Sequence, residues 1–145
     1  MPSARLARTQ SIYRPFHHAI EEFLDQRAAE KRHTIIITIH SFTPVYKGKQ
    51  RDLDVGFLFD RDAGLANFLI KVFPPDKARL NEPYGPKDGV MHLLNLHAAP
   101  RGLRHVMIEI RNDLISEHAG QNAWANYLTV PLAQAAIKLA SQART

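Results

Sequence analysis

The chain has 145 residues, of which 45% are hydrophobic and 23% are charged, and its formal net charge is +5. These values exclude wholesale disorder and predict one globular domain over residues 1–145 with a buried core. The absence of cysteine excludes disulfides and cysteine-based zinc sites.

Location and partners are constrained by the same composition. No apolar run approaches the ~20 residues of a membrane span, and the N-terminus has no apolar secretory segment. We therefore expect a cytoplasmic protein without a membrane partner. The basic residues are scattered among acids and form no basic block, so we expect no nucleic-acid partner.

The first part of the chain predicts a helix followed by a strand. Residues 1–12 are polar and are expected to be irregular. A helix is predicted from Pro15 to about Lys31, because Pro15 suits a first helical turn and apolar residues then recur on one face. The short β-branched run Thr34–His40 predicts a strand that is buried on both faces.

The middle of the chain predicts a loop, a second strand and a helix. Residues 41–51 contain proline and glycine and are expected to form the loop. The apolar run Leu53–Phe59 predicts the strand. Asp60 or Asp62 is expected to cap the helix, which should end at Pro74.

The last third predicts two helices around a third strand. Asp88 is expected to cap a short helix that ends at Gly102. The third strand is predicted at His105–Ile110. A long helix is predicted over Gln121–Ala143, kinked or broken before Pro131.

This alternation of helices and apolar strands predicts an α/β fold, a three-layer sandwich in which a mixed sheet carries helices on both faces. In open α/β sheets, ligands bind beyond the carboxyl ends of the strands. The residues at those strand ends are therefore the candidates for a functional site.

Three side chains are predicted to meet at one edge of the sheet. His40 ends the first strand, Glu109 lies in the third strand, and Arg111 directly follows that strand. Neutral imidazole is a zinc ligand, and a carboxylate can take a proton from water as a general base. Arginine binds a substrate carboxylate through two hydrogen bonds. The combination predicts metal-assisted hydrolysis.

These residues also have structural interpretations. A histidine at a strand end is often hydrogen-bonded rather than metal-bound. A carboxylate in the apolar strand around Glu109 must be paired or functional, because burying its charge is costly. A salt bridge to Arg104 or Arg111 is the alternative to catalysis, and the residues alone leave both open.

Several motifs, taken together and in order, resemble the N-formylglutamate amidohydrolase family. The resemblance covers nearly the whole chain. The matching stretches are Tyr13–Ile20, Ile39–Pro44, Arg51–Gly56, Asn81–Tyr84, His97 and Ile108–Ile115.

The resemblance implies a fold like that of zinc carboxypeptidases, and zinc-dependent hydrolysis of an N-formyl amino acid to formate and the amino acid in histidine degradation. It implies that His40 binds zinc and that Glu109 activates the zinc-bound water. N-formylglutamate is the expected substrate. Four further residues match motif positions that contact substrate or support its pocket, namely Arg51, Asn81, Tyr84 and Arg111.

One departure from the family concerns the N-terminal strands. Members of the family have an N-terminal segment that supplies the first strand and the other metal ligands, so we expect this chain to be the C-terminal portion of such a catalytic domain. Zinc normally needs at least three protein ligands, and His40 is one. Three explanations stay open. The chain is a fragment, a homo-oligomer or partner chain completes the sheet, or the chain is a catalytically silent relative that acts as a ligand-binding or assembly domain.

Overall fold

The structure is a computed structural model that describes residues 4–142, with side chains to residue 139. Contacts divide the chain into two compact units, Met1–Thr34 and Ile35–Thr145. The single domain expected over residues 1–145 stays a prediction. In the part of the chain that is described, no helix is both long enough and apolar enough to cross a membrane.

The first unit is helical from its first described residue. Helix α1 (Ala4–Arg8) continues through a π-helical turn (Thr9–Tyr13) into helix α2 (Arg14–Ala29). The expectation that residues 1–12 are irregular is therefore wrong for residues 4–12, and residues 1–3 lie outside the described residues. The hydroxyls of Thr9 and Ser11 donate hydrogen bonds to carbonyls four residues earlier, at 2.9 and 2.8 Å, and do not compete with the helix.

The helix predicted from Pro15 is confirmed, but α2 ends two residues earlier than expected. Lys31 has a φ of 53°, which does not continue a right-handed helix. The guanidinium of Arg27 holds the following turn. It donates hydrogen bonds to the Thr34 hydroxyl at 2.9 Å and to the His33 carbonyl at 3.0 Å.

The second unit is built on a mixed sheet, as predicted, but the sheet has four strands, of which the sequence predicted three. The chain contributes six strands: β1 (Ile35–Phe42), β2 (Val45–Tyr46), β3 (Lys49–Gln50), β4 (Val55–Leu58), β5 (Ala78–Leu80) and β6 (Arg104–Arg111). The main sheet has the order β1-β6-β4-β5, and β2 and β3 form a separate hairpin. Strand β1 is parallel to β6, β4 is antiparallel to β6, and β5 is parallel to β4.

Two expectations about the strands are wrong. Strand β1 was expected to be buried on both faces, but it is half-buried over residues 35–38 and exposed over residues 39–41. The reason is that β1 lies at an edge of the sheet and has a neighbour on one side only. The stretch expected to be a loop contains the β2–β3 hairpin, which is closed by a 2.8 Å hydrogen bond from the Arg51 amide to the Pro44 carbonyl.

Helices cover both faces of the sheet, which confirms the three-layer arrangement. Helices α3 (Gly64–Leu69) and α5 (His118–Gln142) pack on one face. Helix α4 (His92–His97) packs on the other through a cluster that includes Leu58, Leu94 and Met107. Because side chains alternate along a strand, even and odd positions of β6 face different helix layers.

Details of the helix ends differ from prediction. Asp62, rather than Asp60, accepts a hydrogen bond from the Gly64 amide at the start of α3, at 3.0 Å. Asp88 does not cap α4; it accepts the Gly85 amide at 2.7 Å within a separate 3-10 turn. Local hydrogen bonding of the aspartate to the loop has replaced the predicted cap.

Helix α5 runs through Pro131 as one helix, so the predicted break before this position is wrong, while the alternative, a kink, stays a prediction. Leu128 and Ala135, one turn on either side of the proline, are both buried in the core. This packing compensates for the hydrogen bond that proline cannot donate. The predicted helix end, Ala143, lies outside the described residues.

Candidate functional site

The parallel pairing of β1 and β6 places His40 directly beside Glu109. The two residues are register partners, so both side chains lie on the sheet face that α4 covers. On the other side of β6, the register partner of Glu109 is Gly56 of β4. The structure thus brings together the imidazole and the carboxylate that were expected to meet.

Glu109 is a buried acid with an unsatisfied oxygen. Its residue surface is 4% exposed, and its Oε2 atom is buried with no hydrogen-bond partner among the described residues. Burial raises the pKa of Glu109, because desolvation penalises the charged form, while the charge of Arg51 lowers it. The salt bridge weighed above is not present, since Arg104 pairs with Asp62 and Arg111 pairs with Asp54 and Asp113.

Arg51 lies in a box of aromatic rings. Its guanidinium carbon is 4.7, 5.0 and 5.6 Å from the ring centres of Tyr46, Tyr84 and Phe42. The guanidinium also donates a 3.2 Å hydrogen bond to the Thr43 carbonyl. Among the residues that the structure describes, no carboxylate forms an ion pair with it. The group is therefore a fixed cation whose charge is free to meet an anion.

Arg111 is held differently from Arg51. Its guanidinium contacts the carboxylates of Asp54 at 2.9 Å and Asp113 at 2.8 Å. The hydrogen bond with Asp113 raises the pKa of Arg111 further above its ordinary value. A third contact, to the Leu53 carbonyl at 3.3 Å, joins the end of β6 to the segment before β4. These contacts balance the charge of Arg111 and make it a structural link between β6 and the segment before β4.

Replacing Arg111 with methionine is expected to lower the free energy of unfolding by about 2 kcal/mol, because Asp54 then loses the partner of a half-buried ion pair. The two side chains are 15% and 23% exposed. The matched control is Arg104→Met, which breaks a pair with side chains 46% and 24% exposed and should cost less than about 1 kcal/mol. Urea unfolding measures both values, and equal losses would contradict this role for Arg111.

Asn81 and Tyr84 lie in the segment that crosses beside β4. The Asn81 side-chain oxygen accepts a 2.9 Å hydrogen bond from the Phe59 amide, which ties this segment to the end of β4. Tyr84 contacts Arg51 through its hydroxyl as well as its ring, at 3.4 Å from the guanidinium. Of the expected substrate-contacting residues, Arg51 and Tyr84 are thus brought together, while Asn81 is engaged by the backbone.

Sequence reasoning missed the two residues that complete the box around Arg51. Phe42 lies two residues after His40 on the same strand, so the two side chains are on the same face, and this spacing could have placed Phe42 near the site. Tyr46 belongs to the unpredicted hairpin and had no comparable signal. Asp54, which neutralises Arg111, was also missed.

The described residues do not form a metal site by themselves. No group of three or more histidine, cysteine, aspartate or glutamate side chains that could hold a metal ion occurs among them. His40 is exposed and well placed as one nitrogen donor. Since zinc sites use three or four protein ligands, this chain's described donors do not fit a zinc ion.

Comparison with known proteins identifies a family and a similar solved structure. A sequence model of the N-formylglutamate amidohydrolase family matches residues 1–116. The crystal structure of the Agrobacterium tumefaciens gene product Atu2144 is similar, with a TM-score of 0.89 and 44% sequence identity. That match covers 96% of this chain and 56% of the Agrobacterium chain, so this chain spans little more than half the length of its relative. No curated protein matches the sequence.

Proposed function

Because this chain belongs to the N-formylglutamate amidohydrolase family, we propose that it carries the general base of a hydrolase for N-acyl amino acids. N-formylglutamate is the proposed substrate, and formate and glutamate are the products. The observation that carries the proposal is the buried Glu109 oxygen without a hydrogen-bond partner, in register with His40 at the ends of two parallel strands.

Glu109 supplies the proton transfers of the proposed reaction. Its carboxylate takes a proton from the water that attacks the formyl carbon, and then gives that proton to the amine nitrogen as the C–N bond breaks. Burial raises the pKa of Glu109, which makes its carboxylate a stronger base than an exposed glutamate. No described residue uses the acceptor positions of the buried Oε2 atom of Glu109.

We propose zinc as the cofactor and His40 as one of its ligands. Zinc polarises carbonyl groups as a Lewis acid when it is bound near them. The described donors of this chain do not fit a zinc ion by themselves.

Arg51 is the proposed binding group for a substrate carboxylate. It forms no ion pair with a carboxylate among the described residues, although its charge acts on Glu109, and three aromatic rings surround its guanidinium. A planar guanidinium presents two parallel N–H donors to a carboxylate. Arg111 was an equal candidate from sequence, but its charge is already balanced by Asp54 and Asp113.

Replacing Arg51 with lysine is expected to raise KM for N-formylglutamate by about tenfold or more, with a smaller change in kcat, because lysine cannot make the two-point contact. The matched control is Arg79→Lys on β5, which should leave KM unchanged. An equal loss with an uncharged analogue, in which an amide replaces the side-chain carboxylate, would contradict recognition of the side-chain carboxylate by Arg51.

Formate release from N-formylglutamate, followed with and without added zinc, tests the proposed function. Turnover that requires Glu109 supports it. The competing function is a catalytically silent ligand-binding or assembly domain, which the incomplete donor set favours. Stable folding with zinc present but no turnover would favour that alternative.

A further inference from the structure

A polar cavity of about 430 Å³ lies near the other end of β6 from the candidate site. His105 and Glu109 are four residues apart on this strand, so both face the α4 layer and their Cα atoms are about 13 Å apart. The cavity is therefore separate from the candidate site. Its lining comes from β6, from the loop after β4, and from α4 with the 3-10 turn that follows it: His105, Asp60, Arg61, Asn95, Ala99 and Pro100.

His105 is a buried histidine with one ring nitrogen left open. The residue is 4% exposed. Its Nδ1 atom lies 2.8 Å from the Leu103 carbonyl oxygen, which can only accept, so Nδ1 donates this hydrogen bond. The other nitrogen, Nε2, has no hydrogen-bond partner among the described residues. Because the second nitrogen of a neutral imidazole is an acceptor, the cavity offers a nearly enclosed acceptor to a ligand.

The charged side chains of the cavity also lack protein partners. Asp60 and Arg61 are adjacent and exposed, yet neither side chain forms a hydrogen bond or an ion pair in the part of the chain that the structure describes. The next acid, Asp62, is by contrast paired with Arg104 at 2.8 Å. The cavity thus presents one carboxylate, one guanidinium and one imidazole acceptor, all with unused hydrogen-bonding capacity.

This combination of groups selects a ligand that carries both charges. A simple anion would be repelled by the Asp60 carboxylate, and a simple cation by the Arg61 guanidinium. A zwitterion meets both groups with the opposite charge. Its carboxylate can accept two parallel N–H groups from Arg61, and its ammonium can donate to Asp60 and to Nε2 of His105. The α-amino acids carry these two groups on one carbon atom.

We propose that this cavity binds a free α-amino acid, with Arg61 on the carboxylate and with Asp60 and His105 on the ammonium group. The inference does not depend on hydrolysis at Glu109. An N-acyl amino acid has a neutral amide in place of the ammonium group, so the cavity excludes the substrate class of the proposed reaction. It accepts instead the class to which the amino-acid product belongs.

Titration of the 145-residue chain with each of the common L-amino acids tests this inference. The readout is the nitrogen chemical shift of His105 Nε2, which reports hydrogen bonding at that atom. We expect a saturable shift with at least one amino acid, and none with its N-acetyl derivative or its carboxamide, each of which lacks one of the two charges. The inference is overturned if no amino acid shifts His105, or if the N-acetyl derivative shifts it equally.

Two substitutions with matched controls locate the ligand. Arg61→Gln and Asp60→Asn should each raise the Kd by about tenfold or more, because each removes a charged hydrogen-bonding partner. Both residues are exposed, so folding should be retained, which thermal unfolding checks. The controls are Arg14→Gln on α2 and Asp76→Asn in the turn before β5, both at exposed positions, and they should leave the Kd unchanged. An unchanged Kd in both cavity variants would contradict this site.

The variant Glu109→Gln separates this inference from the proposed function. It should bind the amino acid with an unchanged Kd, because Glu109 lies outside the cavity. Loss of binding in this variant would place the ligand at the candidate site and would overturn the inference. Saturable binding at His105 by a protein that releases no formate would support the inference and count only against the proposed hydrolase.

Discussion

Replacing Glu109 with glutamine is expected to lower the rate of N-formylglutamate hydrolysis by about 10²- to 10⁴-fold, the range that a positioned general base contributes. Glutamine keeps the size of the side chain but cannot accept a proton from water. The measurement is kcat from formate release by the protein with zinc added. Full activity in Glu109→Gln would remove the central residue of the proposed function.

The matched control for this substitution is Glu117→Gln. Glu117 is exposed and directly precedes α5, so its loss of charge should leave kcat unchanged. A comparable loss of rate in both variants would point to a general effect of charge on the protein rather than to proton transfer by Glu109.

Glu109→Gln should also change how the free energy of unfolding depends on pH. A structural residue whose charge is paired would not give this change. The pKa of Glu109 is raised in the folded protein, so the folded state binds more protons than the unfolded state between the ordinary and the raised value. The Glu109 contribution to the free energy of unfolding therefore falls as pH rises through that window. Glu109→Gln should remove this contribution, which urea unfolding between about pH 4 and pH 7 would detect. An unchanged pH profile would contradict the buried acid.

The sequence predicted well those features that depend on the residue types of near neighbours along the chain. The β-branched run before His40 and the apolar run around Glu109 are strands, and they end at the same edge because they are parallel. The position of Glu109 inside an apolar strand made it a candidate functional residue, because burial of an unpaired acid is costly. Thus the pair at the centre of the candidate site followed from neighbours in sequence.

What sequence missed depends on partners that are distant along the chain. Arg51 and Arg111 were both candidates for binding a substrate carboxylate, yet Arg51 contacts aromatic rings and Arg111 contacts Asp54, 57 residues before it. The exposure of β1 was missed for a related reason. The apolar sequence of a strand predicts burial whether or not the strand has neighbours on both sides. The order of the strands shows that β1 has a neighbour on one side only.

Replacing Gly56 with alanine is expected to destabilise the second unit by about 3 kcal/mol, because a Cβ atom at this position would collide with the backbone carbonyl oxygen of Glu82. The obstacle is backbone rather than a flexible side chain, so the crossing segment must move as a whole. The matched control is Gly85→Ala, where the nearest atoms to an added Cβ are 3.5 and 3.7 Å away, an ordinary contact that should cost less than about 0.5 kcal/mol.

The displacement should also reach the candidate site, because Glu82 is two residues from Tyr84, whose ring and hydroxyl contact Arg51. Gly56 is in addition the register partner of Glu109. Strand β4 has no side chain at this point, which allows the crossing segment to lie close to it. Thermal unfolding should show a midpoint lower by roughly 10 °C, and the variant should have a raised KM below that temperature. Stability equal to that of Gly85→Ala would mean that the crossing segment does not lie against β4 in solution. The aromatic box would then have no fixed position from which Tyr84 could orient Arg51.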